Sequence, residues 1–73
     1  MKIILEKVKR NASDRYLRRN VKEGLKEIRN DFRHLNMKGE HQTLTVYPKT
    51  PEEARYIKII ANNYTIPYEV RLL

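Results

Sequence analysis

Seven arginines and lysines recur, mostly three or four residues apart, between positions 15 and 33. We call them the basic stripe: Arg15, Arg18, Arg19, Lys22, Lys26, Arg29 and Arg33. On a helix with 100° between successive residues, all seven fall within a sector of roughly 100°. Guanidinium and ammonium groups donate hydrogen bonds to phosphate oxygens and neutralise their charge. The spacing therefore predicts a row of phosphate-binding side chains, about 27 Å long, on one helix face.

A charged helix face can simply be solvated, so the order of the charges decides the interpretation. A helix built for solubility alternates Glu and Lys four residues apart, which stabilises it by about 0.2–0.5 kcal/mol per pair. Here cation follows cation, and the acidic residues Glu23, Glu27 and Asp31 occupy a separate sector. Only the flanking pairs of Glu23 with Arg19 and Lys26 offset the repulsion. The row therefore favours an external polyanion over a solvated face.

The net charge of +7 is concentrated in the first half of the 73-residue chain. Residues 1–38 contain twelve Lys and Arg against five Asp and Glu, whereas residues 39–73 contain four of each. Such asymmetry favours a polyanion partner over a general role in solubility, and among polyanions we expect nucleic acid ahead of an acidic protein. Because the basic stripe lacks the Asn and Gln side chains that read base edges, we expect contacts to the backbone with little sequence reading.

Two tyrosines favour RNA or single strands over duplex DNA. Tyr16 lies beside the basic stripe and Tyr47 in a predicted strand, and both could stack on unpaired bases. The alternative is that each tyrosine simply packs against its neighbours, as aromatic side chains at helix edges usually do.

The sequence predicts no enzyme. His34 and His41 are the only candidates for proton transfer at neutral pH, and their spacing provides no catalytic partner. We interpret both as ordinary surface histidines. There is no glycine-rich phosphate loop, no nucleophile motif and no metal-ligand spacing, so we expect no catalytic residue, no metal and no cofactor.

The elements that position these residues follow from hydrophobic periodicity. Residues 2–8, 42–47 and 66–72 have strand patterns, and Pro67 indicates an edge strand or a strand start. Apolar residues at helical spacing predict a first helix over residues 13–35, capped by Asn11 or Ser13, with Gly39 in the following loop. A second helix is predicted from a capping box at Thr50 to about residue 62, followed by a left-handed exit at 62–63. Gly24 indicates close packing of the first helix on the sheet, or a slight kink of that helix.

This order predicts an α/β fold, a small two-layer β-α-β-α-β domain. We expect a three-stranded, largely parallel sheet with two helices on one face, because crossovers are right-handed. The opposite sheet face would then display Thr43, Thr45, Tyr47, Glu69 and Arg71. RNA-recognition modules have a similar outline, but they have four strands and an aromatic motif that this sequence does not predict.

Length limits the chain to one domain, residues 1–73, with a small core and no cysteine to cross-link it. Self-association is a common remedy in domains of this size, and the first strand is apolar on both faces, so we expect a homodimer. The apolar run at residues 3–5 is too short for a signal peptide or a membrane span. The sequence thus predicts a cytoplasmic protein without a membrane partner.

In length, basicity and richness in Asn, Ile, Lys and Tyr, the chain resembles small accessory proteins of tailed bacteriophages. Some of these proteins bind RNA, and others inhibit a host defence nuclease, including RNA-cutting toxins. The resemblance implies an antitoxin or nuclease inhibitor in the host cytoplasm. It involves no motif and transfers no residue. The alternative is a protein–protein inhibitor whose basic helix docks in an acidic groove of a host enzyme.

Overall fold

Two helices and four strands follow one another as β-α-β-β-α-β in the computed structural model, which describes residues 1–7 and 15–72. The elements are β1 (Lys2–Glu6), α1 (Arg15–Asp31), β2 (Asn36–Gly39), β3 (Thr43–Tyr47), α2 (Pro51–Asn63) and β4 (Tyr68–Arg71). The predicted α/β class is confirmed. Residues 8–14 and 73, with the predicted helix caps Asn11 and Ser13, lie outside the described part.

The sheet differs from the prediction in strand number and direction. Its order is β2-β3-β1-β4, and every neighbouring pair is antiparallel. This is the split-βαβ arrangement of ferredoxin-like folds. The difference arises from β2, a strand that was not predicted. Residues 40–42 join β2 to β3, and the two strands form a hairpin. A connection of that length can join only antiparallel strands, whereas the prediction ran straight from helix to β3.

The sequence of β2 explains why it was missed. Asn-Met-Lys-Gly contains one apolar residue, and we expected Gly39 in a loop. The strand is stabilised by its partner, because Met37 pairs with Val46 and packs against the core. Tertiary pairing therefore overrides a weak local preference.

The core lies between one sheet face and both helices. Ile3 and Leu5 of β1 and Leu44 and Val46 of β3 are buried and alternate with residues of the opposite face. The buried side chains of the helical half belong to the same cluster: Val21, Leu25, Ile28, Phe32, Leu35, Ala54, Ile57, Ile60 and Ala61. Both helices therefore cover one face of the sheet, as predicted.

The opposite sheet face carries the residues expected there. The strand register places Thr43, Thr45 and Tyr47 of β3 on this face, together with Glu69 and Arg71 of β4. At the centre of this face, Ile4 of β1 pairs with Thr45 of β3. The sheet thus has four strands, the number found in RNA-recognition modules, but its described central positions lack the aromatic pair of those modules.

The first helix ends earlier than predicted, whereas the second ends at Asn63, close to the predicted residue 62. α1 stops at Asp31 rather than near residue 35, because the chain turns through residues 32–35 to enter β2. The capping box of α2 is confirmed, since Thr50 and Glu53 each accept a backbone N–H at the helix start. The left-handed residue after α2 is Thr65, with φ 58°, and not Asn62 or Asn63.

Gly24 allows α1 to approach the turn after α2. A Cβ built on Gly24 would lie 2.7 Å from both the Tyr64 Cβ and the Ile66 Cδ1. These distances are too short for any larger residue without a shift of the turn. Close packing at Gly24 is confirmed, but the partner is the connection between α2 and β4 and not the sheet.

Candidate nucleic-acid interface

The helical part of the basic stripe lies on the outer side of α1. Val21, Leu25 and Ile28 point into the core, and the stripe residues between them point away from it. The members whose side chains the structure describes are all exposed: Arg19, Lys22, Lys26, Arg29 and Arg33. Arg33 follows the end of α1, in the turn that leads to β2. Arg15, Tyr16 and Arg18 belong to α1, but their side chains lie outside the described part.

The exposed stripe residues have no acidic partner among the described residues. The ion pairs there join His34 to Glu53, Lys38 to Glu40 and Arg71 to Glu69. The expected pairs of Glu23 with Arg19 and Lys26 are not among them. The positive charge of the stripe is therefore not neutralised by the part of the chain that the structure describes.

The acidic residues Glu23 and Glu27 of α1 lie near the end of α2, away from the basic stripe. The Glu27 carboxylate accepts a hydrogen bond from the Tyr64 hydroxyl, which raises the pKa of Tyr64 above its ordinary value, and the charge of Glu23 adds to the shift. Tyr64 closes the C-terminal end of α2. The carboxylates of α1 thus face α2, and the cations face the other way.

A further cation, Lys7, lies beside the stripe and was missed from the sequence. Its Nζ donates a hydrogen bond to the Glu40 carbonyl. A Cβ built on Gly39 would lie 3.5 Å from Lys7 Nζ and 4.0 Å from the Arg29 Nη2, so both cations approach the same point at the end of β2. The two are 22 positions apart in the chain, and no local pattern connects them.

Tyr47 does not belong to the same surface as the stripe. It is half-buried on the sheet face that points away from the helices, where it pairs with Asn36. The sheet lies between Tyr47 and α1. The two predicted binding features are therefore not brought together, and Tyr16 is the predicted stacking residue that shares a helix with the stripe.

His34 has a structural partner. Its Nε2 lies 2.7 Å from Glu53 Oε2, while Glu53 Oε1 accepts the backbone N–H groups of Lys49 and Thr50. The hydrogen bond with His34, helped by those two N–H groups, lowers the pKa of Glu53 below its ordinary value. His34 therefore links the exit of α1 to the start of α2, whereas His41 is exposed in the β2–β3 turn.

An acidic depression of about 480 Å³ lies between the end of α1 and the start of α2. We call it the acidic notch; it is lined by Asp31, Phe32, Glu52, Glu53 and Tyr56. Among the described residues, no group of three His, Cys, Asp or Glu is arranged to hold a metal ion. The notch and the basic stripe give the helical layer two oppositely charged regions.

Comparisons of the chain with protein families, curated proteins and solved structures found no match. Within the described residues, neither helix is long and apolar enough to cross a membrane. Function is therefore inferred from charge and geometry.

Proposed function

We propose that the protein is a non-enzymatic nucleic-acid-binding protein that contacts the phosphate backbone through the basic stripe. One observation carries the proposal: five stripe cations are exposed and have no acidic partner among the described residues. Like charges this close together destabilise an isolated helix. A bound polyanion would remove that repulsion and release its own counterions, which drives binding.

The dimensions of the stripe suit a short length of one backbone strand. Arg19 and Arg29 are about 15 Å apart along the axis of α1. A stacked strand with the rise of one strand of B-form DNA, about 3.4 Å per nucleotide, spans four to five phosphates over that distance. The core holds α1 in place through Val21, Leu25 and Ile28, so little backbone ordering is needed on binding.

The acidic notch gives the complex one preferred orientation. A polyanion is attracted to the stripe and repelled by Asp31, Glu52 and Glu53 near the start of α2. Lys7, beside Arg29, extends the attractive region towards β2. The strand should therefore follow the side of α1 that faces away from α2.

Among nucleic acids, we favour RNA or another single strand. A single row of cations meets one backbone and needs no second strand, and Tyr16 on the same helix offers a ring for stacking on an unpaired base. Tyr47, on the other sheet face, does not contribute to this contact.

The test is the affinity of the full chain for labelled 12-nucleotide RNA, single-stranded DNA and duplex RNA, measured by fluorescence anisotropy across a salt series. Five phosphate contacts predict a slope of about −3.5 in log affinity against log salt for a single strand. Single-stranded RNA should bind most tightly. The proposal would be contradicted if no binding were detected at about 50 mM salt, or if the affinity did not depend on the salt concentration.

The role that the phage resemblance suggests is inhibition of a host defence nuclease, as an antitoxin in the host cytoplasm. An inhibitor of this kind could cover the RNA substrate or, as the alternative function, insert α1 into an acidic groove of the enzyme. The exposed stripe supports both, because both partners are anionic. Co-purified nucleic acid, seen as a raised 260/280 nm absorbance ratio, would support the first role and its absence the second.

A further inference from the structure

The outer edge of β4 has backbone groups that no described strand pairs. The amide of Glu6 donates to the Pro67 carbonyl at 2.9 Å, and β1 and β4 are antiparallel. The N–H and C=O groups of successive residues in a strand point to opposite sides. Because the Pro67 carbonyl points towards β1, the backbone groups of Glu69 and Arg71 also point towards β1. Those of Tyr68, Val70 and Leu72 point outwards.

The same edge exposes apolar side chains. Val70 is 39% exposed and Leu72 85% exposed, next to the half-buried Tyr68 that packs against the core. All three alternate onto the helix-covered side of the sheet. An open edge with apolar side chains is a template for pairing with another strand.

The opposite edge of the sheet, β2, is protected from such pairing. Lys38 lies on this strand, and the cations of Lys7 and Arg29 converge on Gly39 at its end. Positive charge on an edge strand repels a second copy of itself. The two edges therefore differ, and β4 is the one suited to association.

We infer that two copies of this chain associate through antiparallel β4–β4 pairing in the register that places Val70 opposite Val70 of the partner subunit. In this register the outward backbone groups of Tyr68, Val70 and Leu72 bond to those of the second copy. The result is one eight-stranded sheet. Val70 and Leu72, which are exposed in one chain, become covered by the other.

Charge selects this register over its neighbours. Glu69 and Arg71 share a sheet face, and their side chains form a double hydrogen bond at 3.0 and 3.2 Å. With Val70 at the centre, Glu69 faces Arg71 of the partner subunit, and Arg71 faces Glu69 of the partner subunit. Centring the pairing on residue 69 or 71 instead, which is a relative slip of two residues, would set Glu69 against Glu69 or Arg71 against Arg71, and this is destabilising.

The association leaves the basic stripe accessible. The twofold axis of an antiparallel strand pair is perpendicular to the sheet, so both helical layers lie on the same side. In each copy Arg29 of α1 approaches Gly39 at the β2 edge, the edge of the sheet opposite β4, while Glu27 of α1 faces α2. The dimer is therefore independent of the proposed nucleic-acid binding and can be tested without it.

The first test is the mass of the nuclease-treated protein by light scattering between about 1 and 100 µM, a range in which weak edge-strand dimers are resolved. We expect a concentration-dependent rise from 8.8 kDa to twice that value. Monomer throughout the range would overturn the inference.

Charge exchange identifies the interface. Glu69→Arg and Arg71→Glu, each alone, should weaken the dimer about tenfold, because two attractive cross-strand pairs become repulsive. The double variant Glu69→Arg/Arg71→Glu should recover wild-type dimerisation, and mixing the two single variants should give a mixed dimer. A dimer that none of these changes affects would lie on another surface, and the inference would fail.

Val70→Pro provides an independent check. The amide of Val70 points outwards, so proline removes a bond between the copies and none within the sheet. The variant should keep its circular dichroism and thermal transition in dilute solution and become monomeric. If it proves unfolded, the charge-exchange series still decides the outcome.

Discussion

The two helices pack on the same sheet face, yet their exposed sides differ. α2 begins with a capping box at Thr50 and has Glu52 and Glu53 in its first turn, and His34 joins it to the turn that follows α1. α1 has no acidic residue in its first turn, and its exposed cations have no acidic partner among the described residues. The polar residues at the start of α2 thus stabilise the fold, whereas the exposed cations of α1 have no such role among the described residues.

This difference teaches how to recognise a binding helix from its charges. Polar groups that stabilise a helix lie at its ends or opposite a partner, where they satisfy backbone N–H groups or neutralise a neighbour. Those of the basic stripe do neither within the described part of the chain. Substitutions in α2 should therefore change stability, and substitutions in the stripe should change binding.

The largest effect is expected from reversing three stripe charges, Lys22, Lys26 and Arg29, to Glu. Loss of three phosphate contacts should weaken RNA binding about 100-fold near 0.1 M salt and flatten the salt slope by about two units. The fold should survive, because all three side chains are exposed. Anisotropy titrations against salt measure both effects.

The matched control makes the same charge change elsewhere, by reversing Lys49, Arg55 and Lys58 in the α2 region to Glu. Its RNA affinity should fall far less. If the two triple variants lost RNA affinity equally, net charge alone would determine binding. The proposed difference between the two helices would then be wrong.

Next in size is Gly24→Ala, which tests how α1 is positioned. Alanine is the better helix former, but its Cβ would meet Tyr64 and Ile66 at 2.7 Å. The free energy of unfolding should fall by about 1–3 kcal/mol, as measured by urea denaturation. Asn30→Ala, at an exposed position of the same helix, should be neutral or stabilising. If Gly24→Ala were also stabilising, the close packing would be wrong.

Removing the helix cap, Thr50→Ala, should cost about 1 kcal/mol of stability, because the Glu53 N–H loses its acceptor. Thr50→Ser keeps the hydroxyl and should be close to wild type in the same denaturation experiment. RNA affinity should be unchanged in both variants, and a loss of affinity would connect α2 directly to the binding surface.

The smallest effect concerns acid. The folded pKa of Glu53 lies below its ordinary value of 4.5, chiefly because of the hydrogen bond with His34. Its contribution to stability is therefore complete above pH 4.5 and is lost as the pH falls through the lowered value. The difference in thermal midpoint between wild type and Glu53→Gln should shrink as the pH falls from 6 towards 2. A constant difference would show that the Glu53 charge is not stabilised by folding, and Glu52→Gln is the control.

The sequence was sufficient to predict those features that depend on residues close together in the chain. The capping box and the helical spacing of Val21, Leu25 and Ile28 are local patterns, and the structure confirms them. The side chains on the sheet face opposite the helices followed from the alternation of Thr43, Thr45 and Tyr47, although Thr45 is buried there. The existence of the binding surface remains a prediction, although the exposure of its described residues agrees with it.

The missed features depend on residues that are distant in sequence. β2 exists because β3 provides its hydrogen-bond partners, and this hairpin reverses the predicted strand directions. The contact between His34 and Glu53 joins positions 19 apart, and Lys7 meets Arg29 only after folding. The left-handed Thr65 is a similar case, because a β-branched residue is a poor local candidate for that conformation.

The separation of the acidic notch from the basic stripe has a consequence for the rate of encounter. Opposite charges on different parts of one small domain form an electric dipole, and in the field of a polyanion such a molecule rotates before contact. More collisions then present α1 first, which can raise association rates about 10- to 1,000-fold at low salt. Because ionic contacts on an exposed helix also dissociate readily as counterions return, the protein should exchange rapidly between sites on a long strand.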